Sequence, residues 1–411
     1  MKYDINFLKE IPKTDLHLHL DGSLRINSLI EMSKKLKVAL PSNTEEGLKE
    51  LVFKDQYQNL GEYLHGFQYT CAALRDLENI ERTAYELAID NQEEGVNYIE
   101  VRFAPQLLID NSDKLTFETI MQATANGLER AKKEYNNSKL VKVEGRPEFH
   151  YGIICCAMRM FTKAFSPYYN NLFAVMNHSS SNEVIRAAAM DMVKACVKLR
   201  DESGIPIVGV DIAGQEAGYP ASNFKEMFAY AHKHFLSKTI HAGEAYGAES
   251  IFDAITECHA NRIGHGYTLF EPNLITHSEI KDKNEFVKRL ASFIADQRIV
   301  IEVCLTSNLQ TNPAIKDIKN HKLGDMLANR IATTFCTDNR LVSNTTVTKE
   351  FKLATDNFDI PLAHLKDIIA YGFKKSFHYG TYLEKRKFAN ENLKYFEKIV
   401  KKYYSGVFGS T

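Results

Sequence analysis

The 411-residue chain lacks a surplus of either charge: 51 Lys and Arg stand against 52 Asp and Glu, a formal net charge of −1. With no global field, nucleic acid and anionic membrane surfaces are not expected partners. No window offers about 18 uncharged apolar residues in a row, which excludes a membrane-spanning helix. Met1 to Lys13 interleaves Lys2, Asp4, Lys9 and Glu10 with single apolar residues, unlike the unbroken apolar core of a signal peptide, so a cytoplasmic protein is expected. Cysteine is scarce: seven residues, an odd number, scattered from Cys71 to Cys336, fit reduced buried thiols better than a disulfide framework. The adjacent pair Cys155 and Cys156 lies in an apolar run and reads as two core thiols. Several catalytic signatures are also missing, namely a P-loop, a Gly-rich dinucleotide loop, H-E-x-x-H and G-x-S-x-G. His277-Ser278-Glu279 matches half of the cytidine-type zinc deaminase signature, but no P-C-x-x-C follows, which excludes that class.

What is present suits a large globular core, with 44% hydrophobic and 25% charged residues. Short runs rich in β-formers alternate with longer stretches of helical periodicity, the pattern of a parallel sheet. Strands are predicted near Thr14 to Leu20, Val96 to Phe103, Phe149 to Met158, Ile205 to Ile212, Lys238 to His241, Arg262 to Gly266, Arg298 to Leu305 and Ile331 to Thr337. Eight such units predict an α/β fold, a closed (β/α)8 TIM barrel, as one domain over residues 1–411. Gly22 to Gly95 is too long for one crossover helix, so extra helices are expected there, roofing the barrel mouth, and again at the C-terminus. Lys132 to Pro147 reads as an extended surface connection. Leu383, Leu393, Phe396, Val400 and Tyr403 read as the apolar stripe of a packed terminal helix whose lysines and arginines face solvent.

Chemistry collects at four strand ends. In Thr14-Asp15-Leu16-His17-Leu18-His19-Leu20-Asp21-Gly22, strict alternation puts Asp15, His17, His19 and Asp21 on one strand face and three leucines on the other. Two inward imidazoles are costly in a barrel interior unless something binds them. His241-Ala242-Gly243-Glu244, Gly264-His265-Gly266 and Thr337-Asp338-Asn339 each place an ionisable group where an apolar strand stops, the end at which barrel enzymes keep their chemistry. Imidazole nitrogens with a carboxylate oxygen suit zinc, and a position left to water makes such a site catalytic. Singly, His241 or His265 is more simply a hydrogen-bonded core histidine; four such ends in one chain favour a site.

In order and spacing, the runs Lys13 to Leu24, Gly95 to Pro105, Val210 to Gly214, His241 to Glu244, Arg262 to Gly266 and Cys336 to Asn339 resemble the adenosine deaminase family, zinc-dependent barrels of the amidohydrolase group, over nearly the whole chain. Asp211 to Pro220 and Thr337 to Thr346 are similar to the bacterial members. The resemblance implies deamination of adenosine, and of 2′-deoxyadenosine, in purine salvage. It implies one zinc held by His17, His19, His241 and Asp338, with an activated water attacking purine C6. It also implies that Glu244 protonates N1, that His265 with Asp338 orients the nucleophile, and that ammonia leaves. His19, Asp21, Gly214 and Asn339 then belong to substrate binding: Asp21 at the ribose 5′-hydroxyl, Gly214 through its N–H at N3. Family members often carry a second aspartate where this chain has Asn339, which alters the contact at N7; an amide can donate to that acceptor at any pH. Relatives acting on adenine, adenosine monophosphate or modified nucleosides share the zinc ligands and the glutamate, and a catalytically silent nucleoside-binding barrel is a further alternative. The small-molecule partner expected is a purine nucleoside; oligomeric state is not legible.

Overall fold

A computed structural model of the chain describes residues 2–312 and 315–404. Residue 1 and residues 405–411, the ends of the expected 1–411 span, lie outside the described residues.

All eight expected strands form: β1 (Lys13–His19), β2 (Val96–Phe103), β3 (His150–Met158), β4 (Ile207–Ala213), β5 (Ser237–Ala242), β6 (Arg262–His265), β7 (Val300–Val303) and β8 (Thr333–Phe335). They lie parallel in chain order, each hydrogen-bonded to the next. Just past the end of β8, Asp338 N–H donates to His17 O at 2.8 Å and His19 N–H to Asp338 O at 2.8 Å, which joins the last strand to the first and closes the barrel. The strands are buried on both faces, as a sheet sandwiched between a packed interior and an outer ring of helices must be. Along β2 the alternation sends Ile99 and Val101 into the apolar layer and Glu100 and Arg102 to partners on other strands.

Five helices fill the long insertion after β1: Ile26–Leu36, Glu45–Leu51, Leu60–His65, Phe67–Ala73 and Leu77–Gln92. The third and fourth roof the mouth, contributing Leu60, Tyr63, Leu64, Phe67 and Cys71 to its cavity, as the length of this segment led one to expect. The fifth packs on the helix Phe117–Asn136 as the crossover to β2. All seven cysteines are free, and Cys155 and Cys156 are both buried, as expected.

Two expectations are corrected. Lys132 to Pro147 is not extended at its start, because Phe117–Asn136 continues through it and a further turn follows at Lys139–Lys142. Ala131 and Tyr135 carry that helix's buried face onward, while Lys132 and Lys133 pair with Glu129 on its wet side. In the terminal helix Tyr382–Tyr404, Leu383 is 74% exposed and no part of the packed stripe. Its first turn projects past the core, and the face that packs runs through Phe388, Ala389, Phe396, Ile399 and Val400, with Leu393 and Tyr403 at its margin. Among the described residues no helix is long and apolar enough to cross a membrane.

Candidate active site

A cavity of about 570 Å³ opens at the C-terminal mouth of the barrel, and every residue singled out as a site candidate except His17 lines it: His19, Asp21, Gly214, His241, Glu244, His265, Asp338 and Asn339. His17 lies directly beneath, buried.

His17, His19, His241 and Asp338 each offer a donor atom, and these atoms all lie within 4.8 Å of one another. His17 Nε2 is 3.5 Å and His19 Nε2 3.4 Å from Asp338 Oδ1. The opposite nitrogens of two imidazoles are already committed: His17 Nδ1 sits 3.0 Å from Glu302 Oε2, and His241 Nδ1 2.7 Å from Asp211 Oδ2. A carboxylate on Nδ1 fixes the ring and leaves Nε2 as the basic lone pair, the arrangement of metal-binding histidines. His17 Nε2 is buried and has no hydrogen-bond partner among the described residues. Burial, reinforced by Arg102 and His241, depresses His17 to about 4, and burial likewise puts His19 well below its ordinary value. Burial alone would raise Asp338, but His17, His19 and His265 hold it well below the usual carboxylate range. His241 is the exception, since Asp211 overcomes its burial and raises it. Two neutral imidazoles, one of them with an orphaned Nε2, and an ionised carboxylate are donors in the state a divalent cation needs, and with His241 three nitrogens and one oxygen fit zinc. Asp15, expected on the same strand face, is not among them: its carboxylate accepts from the Thr337 N–H at 3.2 Å and hydroxyl at 2.5 Å.

Beneath the cluster lies a charge network that the sequence did not single out. Arg102 donates to Asp211 Oδ2 at 2.7 Å and Glu302 Oε2 at 2.9 Å, linking the two acids that face the histidines. Arg262 reaches Glu302 Oε1 at 2.6 Å and also Glu100. Asp211, Glu302 and the pair Glu100 and Arg102 each interrupt a largely apolar strand, a signal that could have exposed them.

Glu244 stands beside the cluster, outside it, with Oε1 3.5 Å from His265 Nε2. It is placed by Glu216, a buried carboxylate that sequence reasoning missed. Glu216 accepts the backbone N–H groups of Gly243 (3.0 Å), Glu244 (2.9 Å), Ala245 (2.6 Å) and Tyr246 (3.2 Å) and the hydroxyl of Ser250 (2.5 Å). Ser307, also missed, donates to Asp338 Oδ2 at 2.7 Å. His265 and Asp338 adopt left-handed backbone conformations, φ 62° and 61°, uncommon off glycine and typical of residues held where a site needs them.

At the cavity wall, Asp21 Oδ1 is buried with His19 Nδ1 3.9 Å away and no hydrogen-bond partner among the described residues, and burial, reinforced by Asp338, pushes this carboxyl up to about 7. Gly214 has φ 97°, a conformation L side chains rarely adopt, and its backbone faces the cavity. Asn339 donates its amide N–H to Tyr63 Oη at 2.9 Å, while its Oδ1 is buried with no hydrogen-bond partner among the described residues. A Cβ on Gly22 would come within 1.8 Å of that oxygen, so glycine there leaves room for Asn339.

Comparison with known proteins adds an independent line. A family model described as Adenosine deaminase matches residues 12–391. An adenosine deaminase of Clostridium botulinum is 31% identical over 374 residues, 91% of this chain and 96% of that one. A probable adenosine deaminase of Dictyostelium discoideum is 30% identical over 374 residues, and there the chain spans only 41% of the relative's length. An amidohydrolase from Burkholderia ambifaria solved with bound Zn superposes with a TM-score of 0.75 over 98% of this chain and 96% of that one, at 15% identity, a likeness of fold.

Proposed function

The chain belongs to the adenosine deaminase family, hydrolases of C–N bonds, and from that premise we propose that it converts adenosine to inosine and ammonia with one zinc ion held by His17, His19, His241 and Asp338. The observation that carries this reading is the convergence of four deprotonatable donors on one point, with Glu244 beside them and not among them. Zinc supplies a Lewis acid and a water whose pKa falls to roughly 7, so that a nucleophile exists at neutral pH.

The remaining chemistry belongs to the chain. Glu244, fixed by Glu216, holds a proton for purine N1, which relieves the charge that builds on the ring as C6 becomes tetrahedral. His265 and Asp338 orient the attacking oxygen, and Ser307 in turn orients Asp338. The Gly214 N–H meets N3, and Asp21 takes the ribose 5′-hydroxyl. The unpartnered Asp21 Oδ1 supports this last assignment, because a buried acceptor without a donor is costly and a hydroxyl supplies one. It favours a nucleoside over a nucleotide, whose phosphate would bring its negative charge against the Asp21 carboxyl. Roofing helices and apolar lining keep bulk water from the ring.

The test is to load the protein with zinc, measure the metal, and follow ammonia release from adenosine, adenine and adenosine monophosphate. Adenosine should be the preferred substrate, and a clear preference for either of the others overturns the assignment at Asp21. His17→Ala should lose zinc and turnover together; stoichiometric zinc with normal activity in that variant removes His17 from the site.

A further inference from the structure

One line of hydrogen bonds behind the cavity has its direction fixed at its far end. The backbone N–H of Leu323 lies 3.0 Å from His321 Nδ1. A peptide nitrogen only donates, so His321 Nδ1 accepts and the ring's proton sits on Nε2. That Nε2 is 3.1 Å from Asn308 Oδ1, and so the carbonyl end of the amide faces His321. The other end, Asn308 Nδ2, is 3.1 Å from His265 Nδ1 and can only donate to it. His265 Nδ1 is therefore an acceptor, and its proton belongs on Nε2, the nitrogen 3.5 Å from Glu244 Oε1. All three relaying side chains are at least 97% buried, with exposures of 3% for Asn308, 2% for His321 and 1% for His265. Water does not compete for these contacts. Burial, with His265 and Lys322 adding to it, holds His321 down at about 3, so it stays neutral.

We infer that Asn308, oriented by His321, is a positioning pair that fixes His265 as an Nε2–H hydrogen-bond donor toward the reacting centre. The inference rests on the reading of the site given above, in which His265 meets the attacking oxygen. In this tautomer His265 has no free lone pair on the cavity side. It steadies the oxygen by donating to it, and proton exchange with the substrate falls to Glu244. The helix Leu305–Thr311 thus serves both flanks of the nucleophile with adjacent residues, Ser307 on Asp338 and Asn308 on His265.

Two measurements on the full-length, zinc-loaded protein test this. Side-chain ¹⁵N spectra, with His265 assigned by its loss in His265→Gln, should show Nδ1 unprotonated and Nε2 protonated in the wild-type protein. In Asn308→Asp a carboxylate accepts from both neighbouring rings, so the His265 proton should appear on Nδ1. With it, kcat for adenosine should fall on the order of 10²-fold, with KM within about threefold and zinc stoichiometric, because a wrong tautomer spoils the transition state more than binding. His321→Gln can both accept from Leu323 and donate to Asn308, and should keep kcat within roughly fivefold, whereas His321→Ala should lose about tenfold or more. A protonated Nδ1 in the wild-type protein, an unchanged kcat in Asn308→Asp, or equal losses in His321→Gln and His321→Ala would overturn the assignment. The spectra do not depend on the substrate, so failure of the adenosine reading shows separately, as no ammonia from wild-type protein whose His265 tautomer is the one expected.

Discussion

Glu244 is separated from the metal donors by what it lacks: it has no place in the four-donor cluster, and its contact is with His265. Glu244→Gln should therefore keep zinc and the melting temperature while losing kcat by a factor on the order of 10² or more, since an amide has no proton to give N1. Loss of zinc in that variant, read by metal analysis, would make Glu244 a ligand. Asp21 invites a similar separation. If its orphaned oxygen takes the 5′-hydroxyl, Asp21→Ala should cost adenosine about 10- to 100-fold in kcat/KM and leave 5′-deoxyadenosine nearly untouched, because only the former loses a partner. Equal losses would assign Asp21 to holding the end of β1. These residues were legible because a histidine or carboxylate in an alternating apolar run has no cheap explanation. Asp211 and Glu302 carried the same signal, but which acid meets which imidazole depends on strands up to 285 positions apart closing into one barrel. Asn308, His321 and Glu216 lie past the strand ends, where no periodicity marks a residue as inward.

The helix Leu305–Thr311 carries Ser307 and Asn308 into the site, and its start is pinned by Glu350. That buried carboxylate accepts from the Thr306 N–H at 3.2 Å and the Thr345 hydroxyl at 2.6 Å, and also from the Thr306 hydroxyl. Burial nevertheless dominates and pushes Glu350 from 4.5 up to about 7. A carboxyl with a raised folded-state pKa binds more protons folded than unfolded between those two values. Its favourable contribution is complete below pH 4.5 and is lost as pH rises through about 7. Glu350→Gln, neutral at every pH, should gain on wild-type protein by roughly 1 to 3 kcal/mol between pH 4.5 and pH 8, seen as a rising difference in melting temperature. Parallel curves for the two proteins would show that Glu350 is ionised throughout. At this scale the strands were legible to within two residues at either end, the last two being drawn too long. Helix ends were less so: the charges from Lys132 onward read as a surface connection, while Ala131 and Tyr135 kept burying the helix as far as Asn136.

Across the whole molecule, the metal donors rest on a charged floor that belongs to the barrel core. Arg102 bridges Asp211 and Glu302, and through them faces His241 and His17, proposed zinc donors from β5 and β1. Arg262 ties the same Glu302 to Glu100 and so brings β6 and β2 into the network. If the four donors hold zinc as proposed, folding and metal binding are linked, because these donors come together only when the barrel closes. At free zinc about 1,000 times its Kd, mass action adds about 4 kcal/mol, so chelation should lower the melting temperature by roughly 3 to 7 °C for a chain of this length. Arg102→Lys keeps the charge but loses the planar fork that spans both acids. Its zinc-free form should melt lower than wild type, since a buried network is left partly unpaired. It should also bind zinc about 10- to 100-fold more weakly, because both imidazoles lose the support behind Nδ1. Titration of the chelated proteins with zinc, followed by melting temperature, reads the two effects separately. A variant that is destabilised yet binds zinc like wild type would make Arg102 a strut of the barrel with no hold on the ligands.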